Sequence, residues 1–255
     1  MIFALYKSNP NFAPMPLYDR IGTNYRQLRI PDQHVQSAIE KAIGDAQSIL
    51  NIGAGTGSYE PQGRKVTAVE PSSIMIAQRP PHAAPVVQAS AEDLPFGNEE
   101  FDLAMAVLTI HHWQDLGKGL AEMKRVSHRQ LIFTWDPCHP GFWLTRDYFP
   151  EILAIDQAIF PSFEEIEKQL GAMKRVNIPI PHDCTDGFGC AYWRRPEAYL
   201  QPRVRQAIST FSKIKHTEKG VNRLRSDLET NIWEEQYGEL LRKNALDLGY
   251  TLLMN

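Results

Sequence analysis

The stretch at residues 48–60, SILNIGAGTGSYE, constrains this chain most. Strand-type residues at 48–52 break into glycines at alternate positions, Gly53, Gly55 and Gly57. An apolar run that ends in a Gly-rich turn is the pattern of a buried parallel strand feeding a helix. Glycine reaches the dihedrals of a tight turn, and without a side chain it lets a ligand approach backbone N–H groups. The spacing is G-x-G-x-G, not the G-x-G-x-x-G of dinucleotide sites, which argues against an NAD-linked oxidoreductase. For this stretch alone, a plain loop is the alternative reading.

Three further blocks follow. Residues 65–69 read as a second strand, and Glu70 stands at its carboxyl end, where an acid can accept hydrogen bonds from a ribose diol. Residues 86–89 read as a third strand, followed by the loop Ser90-Ala91-Glu92-Asp93-Leu94-Pro95-Phe96. Residues 101–108 read as a fourth, leading into Thr109-Ile110-His111-His112-Trp113.

In order and interval these blocks resemble the class I S-adenosylmethionine-dependent methyltransferases, specifically the small-molecule type 11 members. The resemblance covers roughly residues 18–135. It implies a doubly wound, mostly parallel seven-stranded α/β sheet with S-adenosylmethionine as cofactor. Gly53, Ala54, Gly55 and Gly57 match the cofactor loop, and Glu70 with Pro71 matches the ribose-binding acid and its neighbour. Met75 matches a residue that lies against adenine; an ordinary core methionine is the alternative. Ser90, Ala91 and Glu92 match the adenine-side loop, and Leu108 and His112 the end of the fourth strand. Tyr18 and Tyr25 match a segment that folds over the cofactor, with a simple capping loop as the other reading. Two positions depart from the family. Asn51 replaces an acid that helps hold the cofactor's ammonium, and Ser90 replaces an aspartate that reaches the adenine amino group.

Composition narrows the class. At 43% hydrophobic, 255 residues can bury a substantial core. A net charge of −3 argues against an electrostatic nucleic-acid binder. Cys138, Cys184 and Cys190 form no C-x-x-C pair, which argues against a disulfide framework or a standard zinc site. His182, Asp183, Cys184 and Asp186 match no metal-ligand spacing either, so no metal is expected. No run approaches the ~18 apolar residues of a membrane span, and the apolar start is too short for a signal-peptide core. The expectation is a cytoplasmic protein.

Along the chain, residues 1–44 read as an N-terminal arm and cap helix. Residues 45–180 read as the cofactor-binding α/β core, 181–248 as a helical lid insertion and 249–255 as a final core strand. The helix opening at Pro31-Asp32 presents Ile30, Val35, Ala38, Ile39 and Ala42 as an apolar face. A fifth strand is predicted at 130–135, helices at 144–158 and 162–170, and a sixth strand at 174–180. The last strand, by resemblance, slots antiparallel between strands five and six. The insertion mixes aromatic and polar groups, as a small-molecule site requires. Its Arg194, Arg195, Arg203, Arg205, Lys213, Lys215, Lys219, Arg223 and Arg225 suggest an anionic acceptor or, equally, a solvated surface.

The candidate catalytic residues are His111, His112 and Asp136, each at or beyond a carboxyl strand end, where α/β sheets bind ligands. Either histidine could accept a proton or merely pack the turn; Asp136 could position substrate or brace a loop. Methyl transfer to a small molecule needs mainly alignment and desolvation, so no dedicated triad is required. A protein that binds the cofactor or a nucleoside without transferring methyl is the contrary reading.

Overall fold

The structure, a computed structural model, describes residues 25–255; the arm at 1–17 and Tyr18 lie outside the described residues. Nine strands are assigned there. They are β1 (Ser48–Ile52), β2 (Lys65–Val69), β3 (Val86–Val87), β4 (Phe101–Val107), β5 (Ser127–Trp135), β6 (Lys174–Asn177), β7 (Ile180–Pro181), β8 (Ala245–Leu246) and β9 (Tyr250–Met254). Seven form one sheet in the order β3-β2-β1-β4-β5-β9-β6. Strands β1 to β5 run parallel, and β9 is antiparallel to both β5 and β6, as expected of the last strand.

Burial on both faces explains why β1 and β4 read as near-continuous apolar runs rather than alternating ones. Ile49, Met105 and Phe133 pack into one hydrophobic cluster; Leu50, Ala104 and Ile132, their neighbours in sequence, pack into the other. Helices cover both sides. Helix α1 (Gln33–Ile43) is capped by Asp32, which accepts from the N–H groups of His34 and Val35, and ends at Gly44; such a cap contributes about 1 kcal/mol. Its apolar face is Val35, Ile39 and Ile43, while Ile30 is 53% exposed and does not belong to it. Next come α2 (Ser73–Ala77), capped by Ser72, and α3 (Leu116–Val126), capped by Asp115.

Prolines explain two departures from the predicted elements. The helix expected over 144–158 divides into a π-helical turn, Leu144–Tyr148, and α4 (Pro150–Ile159). Pro150 has no N–H and suits a helix start, and it drives Phe149 out of the helical region to φ −138°, ψ 64°. Strand six stops at Asn177 instead of running to 180. Pro179 cannot donate to a ladder, so the chain leaves the sheet and Ile180–Pro181 pairs with Ala245–Leu246 instead. This two-stranded ribbon brings together the two ends of the insertion. Helix α5 (Phe163–Leu170) starts with a capping box between Ser162 and Glu165. Within the insertion are α6 (Pro202–Gln206), α7 (Glu218–Glu229), α8 (Ile232–Tyr237) and several 3₁₀ turns.

Candidate active site

The glycine loop leaves β1 in conformations that only glycine adopts readily. Gly53, Gly55 and Gly57 all have positive φ, at 69°, 52° and 92°. Gly53 is also fixed by packing: a Cβ there would lie 2.1 Å from Thr109 Oγ1. No helix follows. The loop turns back through Tyr59, itself at φ 63°, toward Pro61.

Side chains from distant segments hold this loop. Arg79 donates to the Gly55 carbonyl at 3.1 Å, to Glu60 Oε1 at 2.6 Å and to the Ala84 carbonyl at 2.9 Å. Glu60 is buried and accepts from the Asn51 amide at 3.4 Å. Asn51 is therefore a donor toward a carboxylate. An aspartate here would put two buried acids side by side, which accounts physically for the departure at this position.

Glu70 follows β2, buried, with both carboxylate oxygens engaged. Oε2 accepts from Gly55 N at 2.8 Å and Oε1 from Ser72 N at 2.9 Å. These bonds clamp the acid to the loop beside a cavity of about 260 Å³ at the carboxyl ends of β1, β2 and β4. Asn51, Gly53, Ala54, Gly55, Glu70 and Pro71 line it from the loop side. Met75, Ser90, Ala91, Glu92, Leu108 and His112 also line it. Gly57 does not; it packs toward Ala83, Glu60 and Arg79. Glu92 is anchored to the turn after β4, where its Oε1 accepts from the N–H groups of Gln114 and Asp115. The side chain of Tyr25 lies outside what the structure describes.

A second, smaller cavity of about 70 Å³ lies beside the first. Arg29 and Leu108 line both. Leu108 has φ 50°, uncommon for a bulky residue, and sits on the wall between the two spaces. His112 faces the larger cavity and His111 the smaller. The walls of the smaller one are mainly aromatic and aliphatic, with Trp135, Phe142 and Phe160 on the core side and Phe188 and Phe211 from the insertion.

Both histidines are held neutral. Burial, reinforced by the positive charges of Lys213 and Arg29, pushes His112 down to about 3. Burial, then the neighbouring His112, Lys213 and Arg29, pushes His111 well below its ordinary value. His111 stacks on Phe160 with ring centroids 3.9 Å apart, and its Nδ1 is buried without a hydrogen-bond partner. These imidazoles are poor proton acceptors at neutral pH. Asp136 lines neither cavity; Oδ1 accepts from Cys138 N at 2.9 Å, the geometry of a loop brace. Nor does any of the eleven lysines and arginines of the insertion line either cavity. Arg195 donates to the carbonyls of Cys184 and Ala191, Arg205 to that of Tyr199, and Arg223 to that of Asp147. Among the described residues no group of three or more His, Cys, Asp or Glu is arranged to hold a metal ion.

The family model of the methyltransferase domain matches residues 50–132, from β1 through β5. A solved chain from Anabaena variabilis, assigned as a methyltransferase from an antibiotic biosynthesis pathway, is 33% identical. It superposes with a TM-score of 0.83 over 90% of this chain and 99% of that one. The chain belongs to the class I S-adenosylmethionine-dependent methyltransferases. An S-adenosylmethionine-dependent methyltransferase from Thermotoga maritima shares the fold at 22% identity and TM-score 0.52, over 64% of this chain and 84% of its own. Among curated relatives, 2-methyl-6-phytyl-1,4-hydroquinone methyltransferase 2 of Oryza sativa is 28% identical over 130 residues, 46% of this chain and 35% of its own. The chain spans between about a third and a half of the length of the first curated relatives it matches.

The residues present fit this family's cofactor. Gly55 presents bare backbone at the cavity wall, where a Cβ would come to 3.2 Å from Met75 Cε, and Glu70 is fixed beside it. Sequence reasoning missed Arg29, Tyr59, Asp156 and Thr210. Asp156 left a signal: Ile152, Asp156 and Phe160 share one helical face, so an acid stands in an apolar stripe. Arg29 left none, because its role depends on segments far away in the chain.

Proposed function

We propose that this chain transfers a methyl group from S-adenosylmethionine to a small, neutral and largely apolar acceptor. The observation that carries this reading is the pair of cavities meeting at Arg29 and Leu108, one built on the glycine loop and one lined by aromatic side chains. S-adenosylmethionine, when bound, supplies a methyl group already activated on a sulfonium. The chain's own residues then have three tasks. Glu70, clamped by Gly55 N and Ser72 N, takes the ribose hydroxyls with its remaining acceptor capacity. Met75 and the Ser90–Glu92 segment flank the adenine. The aromatic walls of the smaller cavity hold the acceptor and exclude water, so that alignment supplies most of the acceleration, ~7–11 kcal/mol in well-oriented cases.

Residues 181–248 act in this reading as the cover of the acceptor cavity, to which they contribute Phe188, Cys190, Thr210 and Phe211. The absence of insertion cations from its lining favours a neutral acceptor over an anionic one. The rice relative's name places its acceptor among hydroquinones, a class compatible with an aromatic-walled space. Neutral His111 and His112 serve as a packed wall with hydrogen-bonding capacity, not as strong bases.

Calorimetric titration with S-adenosylhomocysteine, NAD and NADP tests the reading. Micromolar binding of S-adenosylhomocysteine alone is the expected outcome. Binding of a nicotinamide cofactor instead, or of none of the three, overturns it.

A further inference from the structure

Among the described residues, one acidic side chain lines the smaller cavity, and it stands on the buried face of α4. Ile152, Asp156 and Phe160 recur at four-residue intervals, so they share that face. Ile152 is buried, Phe160 covers His111, and Asp156 lines the cavity on the turn between them. Asp156 Oδ1 accepts from Thr210 Oγ1 at 2.6 Å, a bond that fixes the carboxyl group from the insertion side. A carboxylate has about four acceptor positions, and Thr210 takes one.

The groups around Asp156 indicate what the others could meet. Thr210 and Lys213 approach from the 3₁₀ turn Ser209–Lys213, Cys190 from the insertion loop and Tyr250 from β9. Cys190 and Tyr250 both line the cavity beside Asp156. Arg29, His111, Thr145 and Ser209 also line the cavity with polar groups. Burial pushes Asp156 up to about 6, against the opposing pull of Thr210 and Lys213, so it is ionised at pH 8. A cationic ligand is disfavoured here, since burial, then the neighbouring His112 and the positive charges of Lys213 and Arg29, already suppress protonation of His111. An anionic ligand is disfavoured by the carboxylate itself. A neutral hydrogen-bond donor attached to an apolar body satisfies both constraints.

We infer that Asp156, held by Thr210, is a specificity-determining residue that reads a hydroxyl group on a neutral aromatic acceptor. The inference rests on the reading of this cavity as the acceptor site. A site built to bond a hydroxyl rejects the analogue that lacks it, because the buried acceptor is then left unpaired.

Phenol and toluene are nearly the same size and differ in OH against CH₃, so they serve as the probes. Each is titrated into the intact protein saturated with S-adenosylhomocysteine, at pH 8, with binding followed by ligand-observed NMR. Phenol is expected to bind about tenfold more tightly than toluene, the scale of one hydrogen bond to a charged group. Asp156→Leu is expected to abolish or reverse that preference while toluene still binds, which shows that the cavity is intact. Asp156→Asn keeps the volume and one acceptor oxygen, and is expected to reduce the preference to about threefold; it decides the matter if the leucine variant does not fold. Equal affinities in the unmodified protein, an unchanged preference in the variants, or failure of both probes to bind at about 10 mM overturns the inference. The cofactor is read separately. If S-adenosylhomocysteine does not bind but the phenol preference persists in the unloaded protein, the methyl-transfer reading falls and the hydroxyl-reading role of Asp156 stands.

Discussion

The hydroxyl of Tyr59 donates to the carboxylate of Asp186 at 2.8 Å, joining residues 127 positions apart. Tyr59 ends the glycine loop and Asp186 belongs to the insertion. Asp186 is fully buried and also receives the Arg29 guanidinium, which lines both cavities. The same tyrosine oxygen accepts from Asp32 N at 3.2 Å, and Asp32 Oδ2 accepts from Thr185 N at 3.1 Å. The start of α1, the glycine loop and the insertion are thus locked around one buried ion pair.

Tyr59→Phe removes a donor from a buried carboxylate and should lower the unfolding free energy by about 1–3 kcal/mol. Asp186→Ala removes the carboxylate that both Arg29 and Tyr59 bond, and should cost more, about 3–5 kcal/mol. Denaturant midpoints check both. Equal losses in the two variants would mean that the Arg29–Asp186 pair adds little to stability beyond the Tyr59 bond.

Glu70→Ala deletes the acceptor for Gly55 N and Ser72 N together with the carboxylate proposed to take the ribose hydroxyls. Affinity for S-adenosylhomocysteine should fall at least tenfold, the equivalent of about 1.4 kcal/mol. Calorimetry reads this directly, and unchanged affinity would place the cofactor elsewhere.

Asn51→Asp brings in the acid that other family members carry. Beside Glu60 it must either ionise against a like charge or take up a proton. The variant should be destabilised at pH 8, by roughly 1–3 kcal/mol, and recover as the pH falls toward 5. Glu60→Gln in the same background should relieve the penalty, which a thermal denaturation series can test.

The histidines and Asp156 pull stability in opposite directions with pH. His112 titrates near 3 in the folded chain and near 6.5 when unfolded, so the unfolded state binds the proton first. Stability should therefore drop as the pH falls below 6.5, by about 1.4 kcal/mol per unit for this residue alone. His112→Phe should flatten that slope. Asp156 is raised from 3.8 to about 6 on folding. Its penalty is present above pH 6 and disappears as the pH falls through 6 toward 4. Asp156→Asn should thus stabilise the protein by up to about 3 kcal/mol at pH 8 and hardly at all at pH 4.

Local sequence alone determined β1, the glycine turn, α3 and the acid after β2. Each is specified by contiguous residues: an apolar run, positive-φ glycines, a capped amphipathic stripe, an acid at a strand end. The same holds for most of the larger cavity, because in a doubly wound sheet the strand ends that form it fall at fixed intervals along the chain. Tertiary structure alone decided the rest. Asn51 could be understood only once Glu60 and Arg79 were seen against it, and Glu92 only once its bonds to Gln114 and Asp115 were seen. The basic residues of the insertion suggest an anion site in one dimension, yet in three Arg195, Arg205 and Arg223 are spent on backbone carbonyls. The smaller cavity is assembled from β5, α4, the insertion and β9, whose lining side chains lie more than a hundred residues apart, as Trp135 and Tyr250 do. Composition and spacing carry local preferences, whereas burial, charge pairing and the raised titration of Asp156 depend on which distant groups come to surround a residue after folding.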